Sequence, residues 1–140
     1  MFANPSDETV RDLLQGARTI AVVGASQNAT RPVFGVMRYL IGAGYELYPV
    51  NPGLAGKTLL GREVYGRLAE VPVAIDIVDI FRRRDALGGV VDEALRLRPL
   101  PKAVWMQLGL RDDAAAARAM DAGMVAVMDR CIKIEHAGLL

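Results

Sequence analysis

The stretch Thr19-Ile20-Ala21-Val22-Val23-Gly24-Ala25-Ser26-Gln27-Asn28-Ala29-Thr30-Arg31-Pro32 decides the fold. Its first five residues form a short, β-branched, apolar run closed by a glycine, which predicts a buried strand over Thr19–Val23. A polar turn, residues 24–31, follows. Pro32 suits the first position of a helix, where a missing N–H costs nothing, and Val33, Val36, Met37, Leu40 and Ile41 then recur as one apolar stripe. Strand, glycine turn and helix in that order open a βαβ unit.

The same alternation continues on both sides. Upstream, Pro5 and Ser6 introduce a helix whose Val10, Leu13, Leu14 and Ala17 share a face. Downstream, residues 45–50 read as a second strand closed by Asn51, Pro52 and Gly53, a turn cluster, and a short strand is expected at 63–65. A long buried strand is predicted over 73–80 and a helix over 85–97, locally weakened by Gly88 and Gly89. A strand over 103–107, an alanine-rich helix over 112–122 and a last strand over 124–128 complete the pattern, which leaves residues 129–140 unassigned. Strands alternating with amphipathic helices predict a single α/β domain over 1–140, a Rossmann-like, doubly wound, mostly parallel sheet in three layers.

Composition narrows the function. With 140 residues, 52% of them hydrophobic and 24% charged, the chain can bury one core. The amino terminus carries Asn4, Ser6, Asp7 and Glu8 instead of a basic start and an apolar run, and no stretch approaches the roughly 18 apolar residues of a membrane helix, so a cytoplasmic protein without membrane contact is expected. A net charge of +1 lacks the basic footprint of a nucleic-acid binder. Cys131 is the only cysteine and His136 the only histidine, which excludes an internal disulfide and leaves no metal-ligand spacing.

At Gly24, a glycine between a buried strand and a helix permits a tight turn, and the helix N-terminus beyond it offers N–H groups and a positive dipole end to an anion such as phosphate. Against the dinucleotide fingerprint, Gly24 and Ala29 match while Ser26 replaces the middle glycine and supplies a hydroxyl donor. Asn28 and Thr30 add polar groups and Arg31 a charge, though a plain surface connection would also be polar. NAD sites place an acid at the end of the second strand; here that position holds Asn51.

Phe81, Arg82, Arg83 and Arg84 fall between the third main strand and its helix, where cations oppose the helix dipole unless an anion binds among them. A solubilising loop is the competing explanation. Asp76 and Asp79 interrupt the same strand and are assigned no chemistry; Trp105 and Met106 read as core, and Gln107 and Gly109 close a strand at the binding edge. Cys131 reads better as a buried, inert thiol than as a nucleophile, and His136 as lying in a frayed terminus.

Taken together, Val23-Gly24-Ala25-Ser26, Arg31-Pro32, Tyr48-Pro49-Val50-Asn51-Pro52, the run from Asp76 through Phe81 to Arg82, Val104-Trp105-Met106-Gln107-Leu108-Gly109 and Met128-Asp129-Arg130-Cys131 resemble the stand-alone CoA-binding proteins. That family is similar to the N-terminal CoA-binding domain of the succinyl-CoA synthetase alpha subunit, and the resemblance covers nearly the whole chain. It implies that Gly24, Ala25, Ser26, Asn28, Arg31 and Pro32 hold phosphates of coenzyme A, that Asn51 and Pro52 line the cleft, and that Phe81, Arg82 and Arg83 meet the nucleotide portion. It also brings in Lys57, near a lysine that contacts the ligand in the synthetase domain, while Gln107 could reach the ligand from its own strand. The implied function is a small binding module, carrier or sensor for coenzyme A or an acyl-CoA, without complete ligase machinery, with no catalytic activity of its own and with an unidentified protein partner left open. The alternative is an NAD(P)-dependent oxidoreductase or redox sensor; a third is an acyl-CoA enzyme using Cys131.

Overall fold

The computed structural model describes residues 3–140; Met1 and Phe2, where the reading of the amino terminus begins, lie outside the described residues. Five strands, β1 (Thr19–Val23), β2 (Glu46–Val50), β5 (Ile77–Ile80), β6 (Ala103–Met106) and β7 (Val125–Val127), form one wholly parallel sheet in the order β2-β1-β5-β6-β7. Between β2 and β5 lies a small antiparallel hairpin, β3 (Thr58–Leu59) and β4 (Arg62–Glu63). Helices α1 (Asp7–Gly16), α2 (Pro32–Gly42) and α5 (Ile132–Leu139) cover one face; α3 (Leu87–Leu95) and α4 (Asp113–Asp121) cover the other. The doubly wound three-layer α/β fold read from the sequence is the fold of the protein. No helix among the described residues is long and apolar enough to cross a membrane.

Parallel strands covered on both faces are predominantly apolar, and β1, β5 and β6 are buried at every position, with Thr19 and Asp79 their only polar residues. Alternate residues therefore feed two cores. Ile20, Val22, Ile77 and Trp105 pack with Val33, Val36 and Met37 of α2, whereas Ala21, Val78, Ile80 and Met106 pack with Leu87, Val91 and Ala116 of α3 and α4. The helix starts follow local rules: the Ser6 hydroxyl accepts from the Thr9 N–H to cap α1, and Asp112 does the same for Ala115 in α4.

The structure departs from the sequence reading in three places. The strand expected over 73–80 begins only at Ile77. Pro72 interrupts the approach, Val73 is 41% exposed, and just before the strand the Asp76 carboxylate accepts from the N–H groups of Arg18 (2.7 Å) and Thr19 (3.2 Å). The helix expected over 85–97 is a single 3-10 turn, Arg84–Ala86, followed by the shorter α3. The unassigned tail is α5, held by the His136 Nδ1 to Tyr39 hydroxyl bond of 2.8 Å, by Arg11 Nε donating to the Leu139 carbonyl (3.2 Å) and by Ile132 in the core. His136 is thus packed edge-on against Tyr39 and Tyr45 in an ordered helix, not in a frayed end.

One further tie came without a sequence signal. The Asn4 side chain donates to the Met128 carbonyl and accepts from the Met128 N–H, both at 2.8 Å, as a neighbouring strand would. Asn4→Ala leaves both backbone groups without their partner, and an expected loss of about 1–3 kcal/mol in denaturant unfolding checks the tie.

Candidate functional site

Strand register brings the site together. Val23 of β1 is level with Val50 of β2 and Ile80 of β5, so the next residues, Gly24, Asn51 and Phe81, leave the sheet side by side at its carboxyl edge. The chain runs from β1 outward to β2 and then returns to β5 on the other side, which makes the β1/β5 boundary the switch point where open α/β sheets bind ligands.

Gly24 is required here by geometry. Its φ is +89°, and a Cβ would lie 1.9 Å from the Phe81 carbonyl oxygen. The Gly24 and Ala25 N–H groups both donate to the Val50 carbonyl (3.0 and 3.3 Å), and Phe81 N–H donates to the Val23 carbonyl (2.8 Å). Ala25 is buried, so the first two residues of the turn serve the fold.

The N–H groups left open come one step later. Ser26 Oγ accepts from the Asn28 N–H, Asn28 Oδ1 accepts from both the N–H and the hydroxyl of Thr30, and the Asn28 carbonyl accepts from the Arg31 N–H. This shapes the turn and leaves the N–H groups of Ser26, Gln27 and Ala29 without a protein acceptor among the described residues. Arg31 occupies the position before α2 without capping it, and Pro32 is the first helical residue, so the positive end of α2 faces this turn without an acidic residue to neutralise it.

Asn51 is fully engaged: its Nδ2 donates to the Ala25 carbonyl (2.7 Å) and its Oδ1 accepts from the Gly53 N–H (2.8 Å), locking the turn after β2 to the turn after β1. Pro52 opens a 3-10 turn, Pro52–Leu54, and Lys57 follows, exposed, at the base of the hairpin. From β5 come half-buried Phe81 and exposed Arg82, whose Cδ passes over Gly24, then Arg83 and Arg84. Arg83 Nε stands 3.5 Å from Asp85, a pair exposed on both sides and worth little. Arg31, Lys57, Arg82 and Arg84 have no ion-pair partner among the described residues.

Gln107 is the exception among the residues expected at this edge. It is 5% exposed, and its Oε1 accepts from the Ile132 N–H (3.1 Å) at the start of α5, so its carbonyl end is engaged within the fold. The adjacent loop residues hold each other: the Gly109 N–H donates to Asp129 Oδ1 (2.7 Å), with Asp129 at φ +57°. Trp105, fully buried as expected, donates from Nε1 to the Arg130 carbonyl, and Cys131 lies half-buried at the first position before α5. Of the engaged groups, the sequence pattern gave no part to the side chains of Asn4 and Thr19, and each acquires its part only when distant strands meet.

Comparison with known proteins agrees with this geometry. The model of the CoA binding domain family matches residues 18–137. The chain is 37% identical over 134 residues to the uncharacterized protein YneT of Bacillus subtilis (strain 168), covering 96% of each chain. A solved structure from Thermus thermophilus, cell-free ID.343, is 39% identical with a TM-score of 0.91, covering 97% of this chain and all of that one. The dinucleotide-forming acetyl-coenzyme A synthetase 1 of Ca. Korarchaeum cryptofilum, in its apo form, shares 25% identity and a TM-score of 0.66 over 77% of this chain, which corresponds to 25% of the synthetase. The family match spans the sheet from β1 to α5, and with it the assignment is plain: the chain belongs to the CoA binding domain family.

Proposed function

We propose that the protein binds coenzyme A or an acyl-CoA across the carboxyl edge of β1, β2 and β5, acting as a binding module, carrier or sensor without ligase chemistry of its own. One observation carries this reading. Three N–H groups are left open in the Gly24 turn, and Arg31, Lys57, Arg82 and Arg84, which follow the carboxyl ends of β1, β2 and β5 in the chain, have no carboxylate partner among the described residues. Phosphates supply the missing negative charge to both, and charge-assisted hydrogen bonds to backbone N–H and guanidinium groups are the strong kind.

The residues fit the group in kind. A pyrophosphate needs backbone donors at a helix start, an additional ribose phosphate needs a separate basic patch, and half-buried Phe81 offers a ring on which a base can stack or pack its edge. An NAD-type reading is weaker, because Asn51 supplies no carboxylate for a ribose and both ends of its amide are already committed.

Thermal unfolding with added ligand tests the proposal. Coenzyme A at about 100 times its Kd is expected to stabilise by about 2.7 kcal/mol, and dephospho-CoA by less, because the arginine patch loses a phosphate. No shift at millimolar coenzyme A removes the proposal; NADPH binding more tightly than coenzyme A replaces it with the oxidoreductase reading.

A further inference from the structure

We infer that Asp79 is a built-in proton switch: as a neutral acid it lets α2 and α5 close over β5, and its ionisation loosens that seam beside the carboxyl edge of the sheet. Asp79 is 0% exposed, and neither carboxyl oxygen has a hydrogen-bond partner. It stands level with Val22 of β1 and Trp105 of β6, and it shares a face of β5 with Ile77, whose cluster holds the inward residues of α1, α2 and α5. Helices α2 and α5 touch each other over this face.

Among the described residues, no charge on the covering elements meets it. The inward residues are Val10, Leu13 and Leu14 of α1, Val33, Val36, Met37 and Leu40 of α2, and Ile132 of α5, all apolar. The charged side chains of those helices turn elsewhere: Arg11 reaches the Leu139 carbonyl, Arg38 lies over Phe34, Lys133 over the Tyr39 ring, and Glu135 pairs with Arg130 at 3.8 Å. Asp7, Glu8, Asp12 and Arg31 are exposed. The other titratable groups on this face are Cys131, half-buried at the start of α5, and the Tyr39, Tyr45 and His136 cluster, where Tyr39 bonds His136 and Tyr45 donates to the Leu14 carbonyl. Among the described residues the only buried polar side chains besides Asp79 are Thr19 and Gln107, and their bonds go to Ala74, Asp76 and Ile132.

A carboxylate cannot be stable in such a place without solvent or a counter-charge. Burial alone pushes the Asp79 carboxyl well above the usual range, with no other group contributing. The fold therefore keeps a proton that the unfolded chain releases above about pH 4, so stability falls as pH rises from there through the folded midpoint. Asp76, three residues earlier, has the opposite sign. Burial raises its carboxyl, but the N–H groups of Arg18 and Thr19, with Lys102 at 3.7 Å, outweigh this and leave it below the usual range, so its contribution is lost in acid.

The test compares the wild-type chain with Asp79→Asn, an isosteric side chain that does not ionise. Thermal unfolding is followed from about pH 5 to about pH 9, and Cys131 alkylation by a neutral reagent reports on the seam from the start of α5. The wild type is expected to lose stability with rising pH relative to the variant. The ratio of wild-type to variant labelling rates, which cancels the intrinsic titration of the thiol, is expected to rise by about threefold or more. Parallel stability profiles overturn the switch, and a flat labelling ratio overturns its placement at the seam. Should the variant not fold, the carboxyl 13C titration of Asp79 in the wild-type chain decides: a midpoint in the ordinary carboxylate range overturns the inference, and one above it supports it.

Discussion

Gly24→Ala is expected to cost about 3–5 kcal/mol of stability and to remove coenzyme A binding with it. Two costs combine. An alanine at φ +89° occupies backbone space that L residues rarely adopt, and its Cβ would have to displace the Phe81 carbonyl from 1.9 Å. That carbonyl is backbone, so relief requires parting the ends of β1 and β5. The Phe81 N–H to Val23 bond and the Gly24 and Ala25 bonds to Val50 are the ones strained. Chemical denaturation measures the first effect and calorimetric titration of the folded fraction the second. A variant with an unchanged midpoint and full binding would show that the close approach of the two turns is dispensable.

The second large effect concerns affinity without stability. Arg82→Ala combined with Arg83→Ala is expected to weaken coenzyme A binding by about 10- to 100-fold, the size of one or two charge-assisted contacts, while the unfolding midpoint stays within about 1–2 °C. Both side chains are exposed, and the Arg83–Asp85 pair they give up is solvated on both partners. Two linked readouts accompany the loss: the preference for coenzyme A over dephospho-CoA shrinks, and the dependence of affinity on salt flattens. Affinity within about twofold of wild type would place the nucleotide portion elsewhere and leave the arginines as a solubilising loop.

These two positions show different degrees of legibility. Gly24 was legible as the glycine of a strand-to-helix turn, yet the reason glycine is obligatory there is contact with the Phe81 carbonyl, 57 residues away in the chain, which no local pattern contains. Asn51 was visible chiefly as the place where an acid is missing. Its structural task, holding the Ala25 carbonyl and the Gly53 N–H together, depends on β1 and β2 being in register. Gln107 reads from the sequence as able to reach a ligand because it ends a strand at that edge. The arrival of α5 above it, in a stretch whose weak periodicity concealed a helix, turned it into a cap.

By itself the sequence determined the fold class and every main element except α5, because apolar runs of strand length and stripes of helical spacing are local properties, and burial on both sides of a parallel sheet leaves β1, β5 and β6 apolar apart from Thr19 and Asp79. It also determined which turns carry glycine, asparagine and arginine. The tertiary structure alone decided which of those groups remain open to a ligand, since that depends on which N–H and carbonyl groups are used by neighbouring strands. It also decided that Asp79, one of two similar acids in the run Asp76-Ile77-Val78-Asp79, is sealed beneath two helices while Asp76 is satisfied by backbone donors. Strand pairing and helix packing place residues distant in the chain around each carboxyl, and those neighbours determine whether its charge can be carried.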